Sequence, residues 1–244
     1  MSDQASTIMV NTLEPQSGTT LTVGKSGQNL QVNADSLKAN VAKDAGGNAV
    51  FTSDGSGNLS GLNSGFGSAQ VLISTQAFTG QATVSFTSGI DSTYNHYLFE
   101  FFELNPVDNA VDFRFQVNAS GQTGYDEVIT SSAFMAHHYE NDTSSGLAYS
   151  AGYDQAQGTA PQIICENIGN QADECGAGEL HIYNPASTTQ IKNFYSRFSL
   201  LAASDYSGDI FIGGYINTAS AIDEVQFSFE SGNFDGTIKM YGIK

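Results

Sequence analysis

The sequence predicts an all-β protein: an antiparallel β-sandwich, jelly-roll-like, preceded by an extended, trimeric β stalk. Three observations carry this. Residues 94–104, Tyr-Asn-His-Tyr-Leu-Phe-Glu-Phe-Phe-Glu-Leu, read as a strand that is apolar on both faces. Tyr97, Phe99 and Phe101 point one way and Leu98, Phe102 and Leu104 the other, because side chains alternate along a strand. After residue 70, strand-like runs follow one another with turn formers between them, the spacing of an antiparallel sandwich. Before residue 66, apolar residues come in small clusters separated by Gly/Asn pieces.

Residues 1–12 carry no periodic pattern. Ile8, Met9 and Val10 form a short apolar patch in a polar tail, read either as a disordered terminus or as an anchor that orders against a partner. Residues 13–66 place Leu21 and Val23, Leu30 and Val32, Leu37 and Val41, then Val50, Phe51, Leu59 and Leu62 between turn-like pieces such as 24–29, 44–48 and 53–58. Strands this short and this poor in apolar area do not stand alone. Around a three-fold axis, Leu21, Val23, Leu30, Val32, Leu37 and Val41 would form a narrow shared core, since repeats that cannot bury their own faces need neighbours. A flexible Gly/Ser-rich linker is the alternative, and residues 35–43 also fit a short helix with Leu37 and Val41 at i, i+4. The three glycines of residues 61–68 mark the boundary, because glycine permits a sharp re-routing of the backbone.

From residue 70 the predicted strands are 71–75, 82–87, 94–104, 111–117, 125–130, 132–139, 162–168, 178–184, 189–201, 208–217, 223–229 and 236–243. A looser Gly/Ser/Tyr region lies at 140–160. A strand apolar on both faces is expected to be covered on both faces, hence central. Residues 111–117 alternate Val111, Phe113, Phe115 and Val117 against Asp112, Arg114 and Gln116, which predicts one wet face. The turn formers at 105–110 predict that the two pair as a hairpin. Phe194, Phe198 and Leu200 share a face with Ser196, and the last apolar run, 238–243, is expected to be tied into a sheet.

The net charge is -17, from 25 acidic and 8 basic residues. Such a surface repels phosphate backbones and anionic lipid, so neither nucleic acid nor a membrane is an expected partner. No run of about 18 apolar residues is present, so no membrane-spanning helix is expected, and the first residues lack the basic and apolar regions of a secretory leader. Cys165 and Cys175 are the only cysteines and are read as a free, reduced pair, with a bridge as the alternative.

The segment from Thr19 to Gly27 (Thr-Thr-Leu-Thr-Val-Gly-Lys-Ser-Gly), the Gly-rich joint, the run from Val84 to Tyr94 (Val-Ser-Phe-Thr-Ser-Gly-Ile-Asp-Ser-Thr-Tyr) and the closing run from Thr237 to Ile243 (Thr-Ile-Lys-Met-Tyr-Gly-Ile) resemble virion proteins of tailed bacteriophages. The likeness is to those of phages of marine and freshwater bacteria, and it covers about residues 13–244. It implies a slender N-terminal region carrying a β-sandwich, a homotrimer, and a fibre or decoration role with the N-terminal segment docked to capsid or tail. It brings no catalytic residue and no cofactor.

The candidate chemistry is sparse. His137 and His138 are adjacent and point to opposite faces of a strand, so they do not easily share a metal. His96 and His181 stand apart in separate strands, and ordinary polar roles are the expectation for all four histidines. Asp108/Asp112, Glu100/Glu103 and Asp173/Glu174 are carboxylate pairs by sequence proximity only, against the two carboxylates across a cleft that glycoside hydrolysis requires. The Glu140-Asn141-Asp142 loop has oxygen ligands without the spacing of an EF-hand. No Ser-His-Asp set, phosphate loop or dinucleotide fingerprint is present.

The expected organisation is therefore a docking segment (1–12), a stalk (13–66) and a β-sandwich (67–244). The expected protein is not an enzyme, has no cofactor or metal, and is a homotrimeric head decoration, cement or head-fibre protein. Its expected partners are the major capsid protein or another virion subunit, and its location is the virion. Two alternatives stand beside it. One is a receptor-binding tail fibre contacting host surface glycan through loops 146–153 and 204–208. The other is a glycan-degrading tailspike.

Overall fold

The computed structural model describes residues 41–44, 48–56, 59–60 and 69–244. The docking residues Ile8, Met9 and Val10, the stalk residues Leu21, Val23, Leu30, Val32 and Leu37, and the joint at 61–68 lie outside the described residues. The chain divides into two compact units, Met1–Phe66 and Gly67–Lys244.

In the first unit, β1 (Val41–Lys43), β2 (Ala49–Ser53) and β3 (Leu59–Ser60) form an antiparallel sheet in that order. The β1–β2 turn is closed by Asp44, whose Oδ1 accepts from the Asn48 N–H at 2.9 Å, an Asx-type cap. Residues 41–43 are thus extended rather than helical. Val41 is exposed within the single chain, as is Leu59.

The second unit holds twelve strands: β4 (Gln70–Gln81), β5 (Thr83–Phe86), β6 (His96–Pro106), β7 (Val111–Ala119), β8 (Ile129–Tyr139), β9 (Ser145–Tyr149), β10 (Gln162–Ile168), β11 (Gly176–Tyr183), β12 (Lys192–Ala202), β13 (Tyr206–Ile216), β14 (Ile222–Phe229) and β15 (Phe234–Ile243). All their pairings are antiparallel. One run is ordered β4-β15-β6-β11-β12-β13-β8-β9, the other β10-β7-β14-β5, and a single pair, Ile168 with Ala202, joins them. The sheet therefore turns a corner at β10/β12 and doubles over into a nearly closed, barrel-like form. Aromatic rings fill the space between its layers. Phe101 of β6 lies 5.4 Å from Phe113 of β7 and 5.0 Å from Phe227 of β14, and Phe86 of β5 lies 5.3 Å from Phe99 of β6. Edge-to-face pairs at these separations add roughly 0.5–1.5 kcal/mol each beyond their buried area.

Two expectations for the central stretch are corrected. β6 does not pair with β7; it lies between β15 and β11, while β7 lies between β10 and β14. The link at 105–110 is a crossing between layers. Asn105 Nδ2 donates to the carbonyls of Gln171 and Glu174, the Val107 N–H donates to the Asn233 carbonyl, and Ala110 takes a positive φ. Nor is β6 covered on both faces along its length: Leu98 is buried on the outer face, but the cover ends before Phe102. Glu103 adopts φ 53°, and the register slips there against β11. That bulge turns Leu104 to the same interior as Phe101, leaving Phe102 39% exposed on the outer face.

Smaller corrections concern boundaries. Residues 125–128 are not strand, and β8 runs unbroken through 129–139, across the division between the predicted strands 125–130 and 132–139. The looser region contains β9, paired with β8. Asp112 is half-buried rather than wet, because its Oδ1 accepts from the Asn167 N–H at 2.9 Å. The closing run is tied in as expected: β15 pairs with both β4 and β6.

Candidate functional site

The long layer presents an outer face whose side chains stand in transverse register. Successive strand partners run from Lys239 on β15 through Glu100, Glu179 and Arg197 to Phe211 and Phe134 on β8. Alongside this row is an open groove of about 680 Å³ across β6, β11, β12 and β13. Phe102, Glu100, Glu179, Arg197 and Asp209 line it, and Ala177, Ser199 and Ser207 leave its floor low. Arg197 grips Asp209 with two parallel bonds, Nε to Oδ1 at 3.0 Å and Nη2 to Oδ2 at 2.8 Å. That fork lowers the carboxyl pKa of Asp209 and raises that of the guanidinium, so both stay charged. The Lys239 ammonium lies 4.9 Å from the Phe102 ring centroid, a cation–π contact that orders the ring. Beyond the ion pair, a smaller depression of about 220 Å³ is walled by Phe134, Leu147 and Phe211.

A second feature of this face is a ladder of flat rings. His96 stacks on Tyr183 at 4.5 Å, His181 on Tyr195 at 4.3 Å, Tyr195 on Phe211 at 5.9 Å and Phe211 on Phe134 at 5.1 Å. His96 Nε2 and His181 Nδ1 share a proton-mediated contact of 2.7 Å, and His181 Nε2 lies 3.4 Å from Glu179 Oε2. Burial, then the neighbouring His181, holds the His96 pKa below its ordinary value, which favours a neutral His96 ring. The two histidines that stand 85 positions apart are thus partners across β6 and β11. No pattern within either strand announces this, because the contact depends on register between strands.

The remaining ionisable groups of note are buried at the corner where the layers join. The Tyr206 hydroxyl donates to Glu166 Oε1 at 3.1 Å and accepts from Asn167 Nδ2 at 3.1 Å. Desolvation raises the carboxyl pKa of both Glu166 and Asp112, lifts the Cys165 thiol well above its usual range, and pushes Tyr206 up to about 12. A protonated thiol is a poor nucleophile, and Cys165 and Cys175 are both free. The cluster reads as a structural knot. Lys192 is likewise structural: it is fully buried, and its ammonium donates to the carbonyls of Gln190, Thr218 and Ser220 at 2.9, 3.0 and 2.6 Å.

The carboxylates singled out by sequence proximity are mostly engaged elsewhere. Asp108 accepts from Ser231 Oγ, Asp112 from the Asn167 N–H, and buried Glu174 from the Gln171 N–H. Glu100 lines the groove, but its neighbour there is Glu179 rather than Glu103. Asp142 pairs with His138 at 3.0 Å, and Asn141 caps Thr143. Among the described residues no group of three or more His, Cys, Asp or Glu side chains is placed to hold a metal ion. Of the loop residues expected to face a glycan, Leu147 and Tyr149 are exposed, with Tyr149 Oη donating to Asp154 Oδ2. Tyr206 is corrected to an interior residue.

Comparison with family models, with curated proteins and with solved structures returned no match for this chain.

Proposed function

We propose that the protein is a structural component of a bacteriophage particle: a homotrimeric head decoration, cement or head-fibre protein, anchored through its N-terminal segment and displaying a jelly-roll-like β-sandwich. The observation that carries this reading is the contrast between the two units. The second unit buries a dense aromatic core, whereas none of the described residues of the first is buried, Val41 and Leu59 being exposed in the single chain. Apolar residues placed at strand positions and left uncovered favour a partner, and a three-fold axis supplies three identical ones. The engagement of Asp108, Asp112 and Glu174 in turn and backbone contacts supports a non-catalytic role, as does the phage resemblance of the stalk and strand motifs.

The test is light scattering coupled to size exclusion, with an expected mass three times the 25.8 kDa chain. A stable monomer would remove the stalk from this reading. Deletion of residues 1–12 then addresses docking: the truncated trimer should fold but fail to co-sediment with particles lacking the protein. Co-sedimentation equal to that of the full chain would place the docking site elsewhere. The open groove favours one further role, that of a receptor-binding fibre.

A further inference from the structure

We propose that the groove across β6, β11, β12 and β13 is a binding site for a neutral pyranose saccharide. The inference goes beyond the structural role above and does not depend on oligomeric state. A pyranose has one face of weakly polarised C–H bonds and a rim of hydroxyls that each donate and accept. The first matches the electron-rich face of an exposed aromatic ring; the second matches fixed ionic donors and acceptors. Phe102 supplies the ring, 39% exposed on a rigid central strand and steadied by Lys239. Glu100 and Glu179, cross-strand partners, supply acceptors on one side. The Arg197–Asp209 fork supplies both kinds of partner: two guanidinium N–H groups bind Asp209 and the others remain for a ligand.

The floor is shaped for occupancy. Ala177, Ser199 and Ser207 are small where a larger side chain would fill the space, and the resulting volume of about 680 Å³ falls among small-ligand sites. The polar groups stand on paired strands in fixed register, so little ordering is needed on binding. Charge decides the class of sugar. Glu100, Glu179 and Asp209 outnumber Arg197 and Lys239 around the groove, on a chain of net charge -17. Uronate, sialate and phosphorylated glycans are repelled by such a field.

The test uses the full chain in saturation-transfer NMR and titration. The probes are neutral oligomers of glucose, galactose, mannose and N-acetylglucosamine, with oligogalacturonate and sialyllactose as anionic arms. At least one neutral class should bind saturably, and Phe102→Ala and Arg197→Ala should each weaken it about tenfold or more, with the fold retained. Leu147→Ala, outside the groove, should leave binding as it was. Should either truncation lower the melting temperature, Ser199→Tyr, which fills the groove and removes no contact, should abolish binding in a folded protein. The proposal is overturned if no neutral probe binds, if Ser199→Tyr binds as the wild type does, or if the anionic arms bind in preference. Light scattering on the same samples reports the trimer separately, so failure of one reading leaves the other standing.

Discussion

Phe101 shows how much one side chain carries. Its ring lies 5.0 Å from both Phe198 and Phe227 and 5.4 Å from Phe113, so it touches both layers of the doubled sheet. Truncation there removes buried area and leaves a cavity, at a cost of about 3–5 kcal/mol for Phe101→Ala. Phe101→Asp buries an unpaired carboxylate and should prevent folding. One residue further along, Phe102→Ala should cost only about 1 kcal/mol, because that ring is partly exposed and loses chiefly its contact with Lys239. Asp112→Ala falls between, at about 1–3 kcal/mol, since it strips the Asn167 N–H of its acceptor. Urea denaturation of the three alanine variants checks the order, and soluble yield checks Phe101→Asp; equal midpoints for Phe101→Ala and Phe102→Ala would mean the faces of β6 are reversed.

At the scale of the element, the bulge in β6 decides which face is core. Glu103 at φ 53° sits in the left-handed region, which costs a non-glycine residue about 1 kcal/mol or more. Opposite it, β15 slips register beside Gly236, which has φ 151°; a Cβ there would lie 2.8 Å from Leu104 Cδ2 and 3.2 Å from the Phe102 carbonyl. Gly236→Ala should therefore lower the melting temperature clearly, while Glu103→Gly should leave it level or raise it. Calorimetry of both variants checks this, and a neutral Gly236→Ala would show that the two bulges do not interlock.

This bulge also marks what can be read from residues in a row. The alternation of Val111, Phe113, Phe115 and Val117 places them all in the interior, as their period predicts, and Phe194, Ser196, Phe198 and Leu200 follow suit. The period of two cannot register a single residue at positive φ, so it places Leu104 on the wrong face. The link at 105–110 has the composition of a hairpin turn, yet its contacts to Gln171, Glu174 and Asn233 carry the chain to the opposite layer. For the groove the limit is stronger. Glu100, Glu179, Arg197 and Asp209 are each ordinary polar strand residues, and only the cross-strand register of β6, β11, β12 and β13 assembles them.

For the molecule as a whole, pH separates local burial from net charge. Glu166 and Asp112 have carboxyl pKa values raised above their ordinary 4.5 and 3.8, with desolvation the largest cause in both. The folded state then holds these protons more tightly than the unfolded chain. Their contribution to stability is fully present below the unfolded values and is lost as pH rises through the raised folded ones. His96 has the opposite sign: its pKa is lowered from 6.5 by burial and by His181. Its contribution is present above that value and lost as pH falls through the folded one. Glu166→Gln fixes the neutral form and keeps an acceptor for the Tyr206 hydroxyl. The variant should melt above the wild type at pH 7.5, and the two curves should converge as pH approaches 4. His96 titrates equally in both proteins and cancels from the difference. Self-repulsion of the -17 charge also relaxes on acidification, but molar salt screens it over about 3 Å while leaving a buried carboxylate untouched. The difference between the proteins should therefore persist in 1 M NaCl, and parallel melting curves at every pH would show that Glu166 is not a source of the pH dependence.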